Sequence, residues 1–216
     1  MGKEYAELDY KTIQDTVYGD EKRVVETVEK LEPKTIQKEQ FYLNSKSNAL
    51  VKGGKDRTVF PIYLPENTKE WYYVLSANRD EEAVKNTAKT FSLASELSRY
   101  LDTDASSISS GVGNLHAPPG AHICDVYLLD SEQASLFRAN ENFTFSMDGT
   151  RENYKSGVVR VKDTPSQKWY LGIKNPDNLY GIHITIEVVA ITAVEETIVK
   201  FKRTPEIHER KIPFVK

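Results

Sequence analysis

Residues 168–192, KWYLGIKNPDNLYGIHITIEVVAIT, carry the clearest alternation of apolar and polar positions in the chain. Ile182, Ile184, Ile186, Val188 and Ala190 fall on one face of an extended segment, and His183, Thr185 and Glu187 on the other. That period of two is the mark of a half-buried strand. In the preceding arm Trp169, Leu171 and Ile173 share one side. Between the arms, Asn175-Pro176-Asp177-Asn178 supplies a turn, Pro by presetting φ and Asn/Asp by bonding their own backbone.

The same reading extends along the chain. Residues 1–22 read as an irregular lead-in. Over 23–31, Val24, Val28 and Leu31 have helical spacing, but the β-branched content and Pro33 favour a strand; a second strand follows at 40–44. Lys52-Gly53-Gly54-Lys55 predicts a hairpin turn, because glycine tolerates positive φ. Strands follow at 57–64 and 70–77. The second of these has apolar or aromatic residues on both faces and is therefore central and covered on both sides.

From 82 to 101, Phe91, Ala94, Leu97 and Leu101 recur at steps of three and four, with Glu81 and Glu82 at the start where a helix dipole favours them. The narrow stripe predicts a surface helix that caps one end of the β structure. A Ser/Gly/Pro-rich loop covers 102–120. Strands are predicted at 123–130, 143–146 and 158–162, with a helical turn after the first of them, N-capped by Ser131. With no internal repeat and no clear composition shift, the expected organisation is a lead-in (1–22), one β domain (23–204) and a charged tail (205–216). The fold class is mainly β, a jelly-roll-like antiparallel β-sandwich with one surface helix.

Composition narrows the function classes. The 29 basic and 32 acidic residues leave a net charge of -3, too little positive field to draw in nucleic acid. No run of about 18 apolar residues predicts a membrane span. The N-terminal MGKEYAELDYKTIQ lacks the basic-then-apolar pattern of a secretory signal. The chain is therefore expected in the cytoplasm, or in an extracytoplasmic compartment, periplasmic or secreted, if a leader has been removed. Cys124, the single cysteine, excludes an intramolecular disulfide. Asn142-Phe143-Thr144 fits the N-glycosylation pattern, a short and unspecific one.

Reactive chemistry has little support. His116, His122, His183 and His208 show no metal-ligand spacing, so no metal and no cofactor are expected. Asp102-Thr103-Asp104 begins like a calcium loop but meets Ser107 and Gly113 where glycine and glutamate are needed. Gly111-Val112-Gly113-Asn114 lacks the rest of a phosphate loop, and no G-x-S-x-G is present. Cys124 sits inside a strand pattern, as a buried inert thiol would. Asp125, Asp130 and Glu187 lie on or beside strands and would serve glycoside hydrolysis only if two of them converged. The remaining candidate is aromatic. Trp71, Tyr72, Trp169 and Tyr170 put rings on opposite faces of two strands, and any exposed pair would suit a sugar or a protein partner.

The strand ICDVYLLD, the arm KWYLGIKN and the strand GIHITIEVVAI, in that order over about 122–192, resemble the bacterial pre-peptidase C-terminal domains and, more distantly, the Golgi-dynamics (GOLD) β-sandwiches. The resemblance implies a jelly-roll-like module of an exported or luminal protein with a binding or accessory role. Expectation therefore centres on a non-enzymatic module that recognises a protein partner or a carbohydrate-like ligand. A carboxylate-dependent glycoside hydrolase and a self-associating structural subunit, whose exposed edge strand pairs with its own copy, are the alternatives.

Overall fold

Strand β4 (Thr68–Asn78) is buried almost from end to end, and the computed structural model, which describes residues 8–101, 115, 117–162 and 167–215, shows why. The chain divides into two units, residues 30–194 and residues 1–29 with 195–216.

In the larger unit β4 lies between β9 (Ile182–Lys202) and β7 (Ser156–Val161), with β2 (Lys22–Leu43) beyond β9. A second four-stranded sheet has the order β3 (Arg57–Tyr63), β8 (Lys168–Lys174), β5 (Cys124–Leu129), β6 (Ser146–Tyr154). Trp71, Tyr73 and Leu75 of β4 and Ile184, Ile186 and Val188 of β9 meet Cys124, Val126 and Leu128 of β5 and Leu171 and Ile173 of β8 in one core. The fold is an antiparallel β-sandwich, as the alternation predicts.

Helices cover both outer faces. Tyr72, Val74, Val189 and Ile191 pack against Leu93 and Leu97 of one helix. Tyr127, Leu129 and Tyr170 pack against Ala134 and Phe137 of another. A strand covered on both sides loses its polar positions, which is why β4 and β5 read as near-continuous apolar runs.

Several expectations need correction. The single helix over 82–101 is two, α2 (Glu81–Thr90), N-capped by Asp80, and α3 (Leu93–Leu101). They part at Phe91, which is extended, and at Ser92, whose hydroxyl accepts the Ser95 N–H at 3.4 Å. Helix α3 lies on the sheet face, not on the end of the sandwich. Gly53 and Gly54 have the expected positive φ, 81° and 97°. They terminate a helix, α1 (Lys46–Lys52), instead of turning a hairpin. The helix after β5, α4 (Ser131–Ala139), is N-capped by Asp130, not Ser131. The strand expected at 143–146 begins only at Ser146; Phe143 packs on Tyr127 and Phe137 instead. Strand β2 runs straight through Pro33, which costs no ladder bond on an edge strand.

The smaller unit replaces both the irregular lead-in and the charged tail. Strand β1 (Leu8–Tyr18) pairs with β10 (Pro205–Val215) along its whole length, from Leu8 opposite Val215 to Tyr18 opposite Pro205. The ladder continues where Gly19 N–H donates to Thr204 O at 3.0 Å. The ends of β2 and β9 belong to the same unit. Here Glu26 pairs with Lys200 at 2.9 Å and also with Lys202, which holds its carboxyl down at about 2, Lys202 being the larger cause.

Candidate functional site

The sandwich unit carries a groove of about 520 Å³ between α1, the start of β3 and the end of α4. Its far wall is the chain reversal at Gly53 and Gly54. Ser45 caps α1 by accepting the Asn48 N–H at 3.2 Å, and the Asn44 side chain donates to Gly53 O at 3.0 Å. Fully buried Asn175 fixes this wall to the sandwich. Its side-chain NH₂ donates to Asn44 O at 3.1 Å and to Tyr180 O at 2.8 Å, its Oδ1 accepts Asp177 N–H at 3.0 Å, and its own N–H reaches Asp56 O at 2.8 Å. The 175–178 turn predicted from sequence is thus the clamp for α1, which also donates Lys46 N–H to Asp177 O at 3.2 Å.

Lys46, Lys55, Arg57 and Arg138 line the groove with a single acid, Asp56. Arg57 is fixed. Its Nε and Nη2 donate to the two Asp56 oxygens at 3.2 and 3.3 Å, its Nη1 to Phe137 O at 3.3 Å, and the guanidinium stands 5.4 Å from the Phe137 ring centre. Ala49, Leu50 and Val59 give the same groove an apolar side, and Leu50 is 81% exposed. Sequence reading missed this site, because three separate segments build it; the one local signal was four cations within 46–57, flanking the two glycines.

The aromatic residues singled out from sequence do not assemble into a platform. Trp71 is fully buried between the sheets, and Tyr72 is fully buried on the opposite face, beneath α3. The Tyr72 hydroxyl donates to Glu70 at 2.5 Å, and its phenol is pushed up by burial and by that carboxylate. Trp169 is half-buried against the sandwich core, and Tyr170 packs beside α4. Tyr170 is held below the ordinary phenol value by the Lys168 ammonium and then by the Ser131 hydroxyl. Two rings on each strand face opposite layers, and both layers are covered, so no ligand can stack on Trp71 or Tyr72.

The carboxylates also stay apart. Asp125 points to the outer face of its sheet and accepts Asn153 N–H at 2.9 Å. Glu187 points to the outer face of the other sheet, toward α3, and Asp130 is spent as a cap. The pair needed for glycoside hydrolysis is not formed by them.

Among the described residues no three His, Cys, Asp or Glu gather where a metal ion would sit. His122 is lowered by burial and by Arg79, His183 lies 4.8 Å from the Tyr42 ring, and His208 sits 3.6 Å from Glu206. His116, the Asp102 calcium-like start and the Gly111 loop lie outside the described residues. Burial pushes the Cys124 thiol up. Among the described residues no helix is long and apolar enough to cross a membrane.

The β1–β10 unit offers a second surface of a different kind. Not one described side chain of residues 9–29 and 195–214 is buried. Tyr10, Tyr18 and Ile207 share one face of the ribbon, and Val17 and Phe214 the other. Farther along, Glu26 facing Lys200 and Lys202 fixes the phase, so Val25, Val199 and Phe201 share the face opposite to that pair. All eight are between 41% and 66% exposed. Searches against protein-family models, curated proteins and solved structures find no match to the chain.

Proposed function

We propose that this chain is a non-enzymatic assembly module: the sandwich is the body, and the β1–β10 ribbon is the part that associates, its partner being a second copy of the same chain. One observation carries the reading. A ribbon paired over its full length has no buried side chain among its described residues, and a two-stranded sheet without a packed face is marginal in water. Association supplies the missing face.

A second copy fits on area and on charge. Eight side chains exposed to this degree present on the order of 800 Å² in all, divided between opposite faces, so that a copy packed on each face covers one partner's share of an ordinary specific interface. Residues 8–29 hold six carboxylates against three cations, and residues 195–216 hold six cations against four carboxylates. The 8–29 arm of one copy and the 195–216 arm of the next are therefore of opposite sign. Each edge also offers a row of unpaired backbone groups. The resemblance to accessory modules of exported proteins supports an extracytoplasmic setting for such an assembly.

Light scattering on the full chain tests the reading. At about 100 µM, a concentration that populates ordinary interfaces of this size, the chain is expected to be a dimer or larger. The triple variant Tyr10→Ser, Tyr18→Ser, Ile207→Ser is expected to run as a folded monomer. A wild-type chain that stays monomeric at that concentration overturns the proposal, whether or not its ribbon amides resist hydrogen exchange.

A further inference from the structure

The groove between α1, β3 and α4 has an imbalance that the fold does not need. Of its four cations, only Arg57 is neutralised, by Asp56. Lys46, Lys55 and Arg138 have no ion-pair partner among the described residues. The chain as a whole carries a net charge of -3, so three unpaired cations at one concavity are a local reversal of the protein's own field. Like charges gathered this way repel one another and raise the local potential for an anion.

We propose that this groove binds a small oxyanion carried on an aliphatic body, a carboxylate or a phosphate monoester. Lys55 and Arg138 meet the head group, Arg138 being able to present two parallel N–H groups to it. Lys46 adds charge at the α1 side. Ala49, Leu50 and Val59 receive the alkyl part, Leu50 standing 81% exposed beside the groove. Arg57 is neutralised and held in place by three of its five N–H groups, two on Asp56 and one on Phe137 O, so it contributes less to the anion than the unpaired cations. The groove is preformed. Its wall is tied down through Asn175, and its volume of about 520 Å³ lies in the ordinary range of small-molecule sites.

The experiment is an NMR titration of the full chain at low salt with three probes, octanoate, octyl phosphate and inorganic phosphate. At least one of the two alkyl probes is expected to saturate, with shifts confined to the backbone amides of 46–59 and 138–140. Which alkyl probe binds more tightly identifies the head group. The double variant Lys55→Glu, Arg138→Glu is expected to weaken binding at least tenfold, about 1.4 kcal/mol, and Leu50→Gln to weaken the alkyl probes while leaving the sandwich amides in place. Raising salt from about 20 to about 300 mM is expected to weaken binding as well. The proposal is overturned if neither alkyl probe saturates by about 10 mM, if charge reversal leaves affinity unchanged in a folded variant, or if inorganic phosphate binds as tightly as octyl phosphate.

Discussion

The Glu187 carboxylate, on the outer face of β9, accepts the backbone N–H of Leu93 at 3.0 Å. Leu93 opens α3, and that N–H is one of the donors a helix start leaves without an internal partner. The carboxylate also accepts from Thr35 Oγ1 at 3.3 Å and lies 3.7 Å from Lys38 Nζ. A sheet residue therefore anchors the helix that covers its own sheet. Glu187→Ala is expected to destabilise the protein by about 2 kcal/mol, the scale of a buried charge-assisted hydrogen bond left unmade. Glu187→Gln, which keeps one acceptor, is expected to cost less than half of that. Urea denaturation measures both, and a Glu187→Ala loss below about 0.5 kcal/mol would show that Glu187 does not hold α3.

That contact also marks the limit of reading this fold from sequence. Strands β4, β5, β8 and β9 were legible because each buries side chains, and burial writes a period of two or an unbroken apolar run into the sequence. The break between α2 and α3 was not, since part of its cause lies in Glu187, 94 residues away from Leu93. No described side chain of strands β1 and β10 is buried, so they carry no clear alternation and read as a lead-in and a tail. The period of two puts the rings of each aromatic pair on opposite strand faces, as the structure has them. Whether a helix covers those faces is a tertiary fact, and here helices cover both. The groove escaped because Arg138 and Lys55 meet only in the folded chain, while the 175–178 turn that braces it was visible from its own residues.

Cys124 is fully buried in the core and its thiol is pushed well up by burial. The thiolate is the reactive form. A thiol reagent at pH 8 is therefore expected to leave the native protein unmodified and to label it to completion after denaturation. Stoichiometric labelling of the native chain within minutes would mean that β5 opens far more readily than a central sandwich strand should.

Asn175 satisfies two carbonyls, Asn44 O and Tyr180 O, from inside the protein. Asn175→Ala leaves both without that donor and is expected to cost about 1–3 kcal/mol. The effect has a definite address. Hydrogen exchange is expected to accelerate in α1 and at Asn44 while the β4 and β5 amides keep their order of protection. Uniform loss of protection across the sandwich would assign Asn175 a global role in place of a clamp.

Asp177 gives that clamp a pH dependence. Its Oδ1 accepts the N–H groups of Leu179 at 2.7 Å and Tyr180 at 3.1 Å, and its Oδ2 meets Arg79 at 2.9 Å. The Leu179 N–H is the largest cause that holds the carboxyl below the ordinary aspartate value; desolvation comes next and opposes it, and the Tyr180 N–H and Arg79 add to the lowering. A group depressed on folding stabilises the folded state above its unfolded pKa, about 3.9, and that contribution disappears as pH falls through the folded value. The turn and α1 are thus expected to loosen below about pH 4. Other carboxylates titrate in the same range, so the informative quantity is the difference between the wild type and Asp177→Asn. Measured by denaturation from pH 6 to pH 2.5, that difference is expected to be largest at pH 6 and to shrink on acidification. A constant difference across the range would show that Asp177 contributes through its shape and not through its charge.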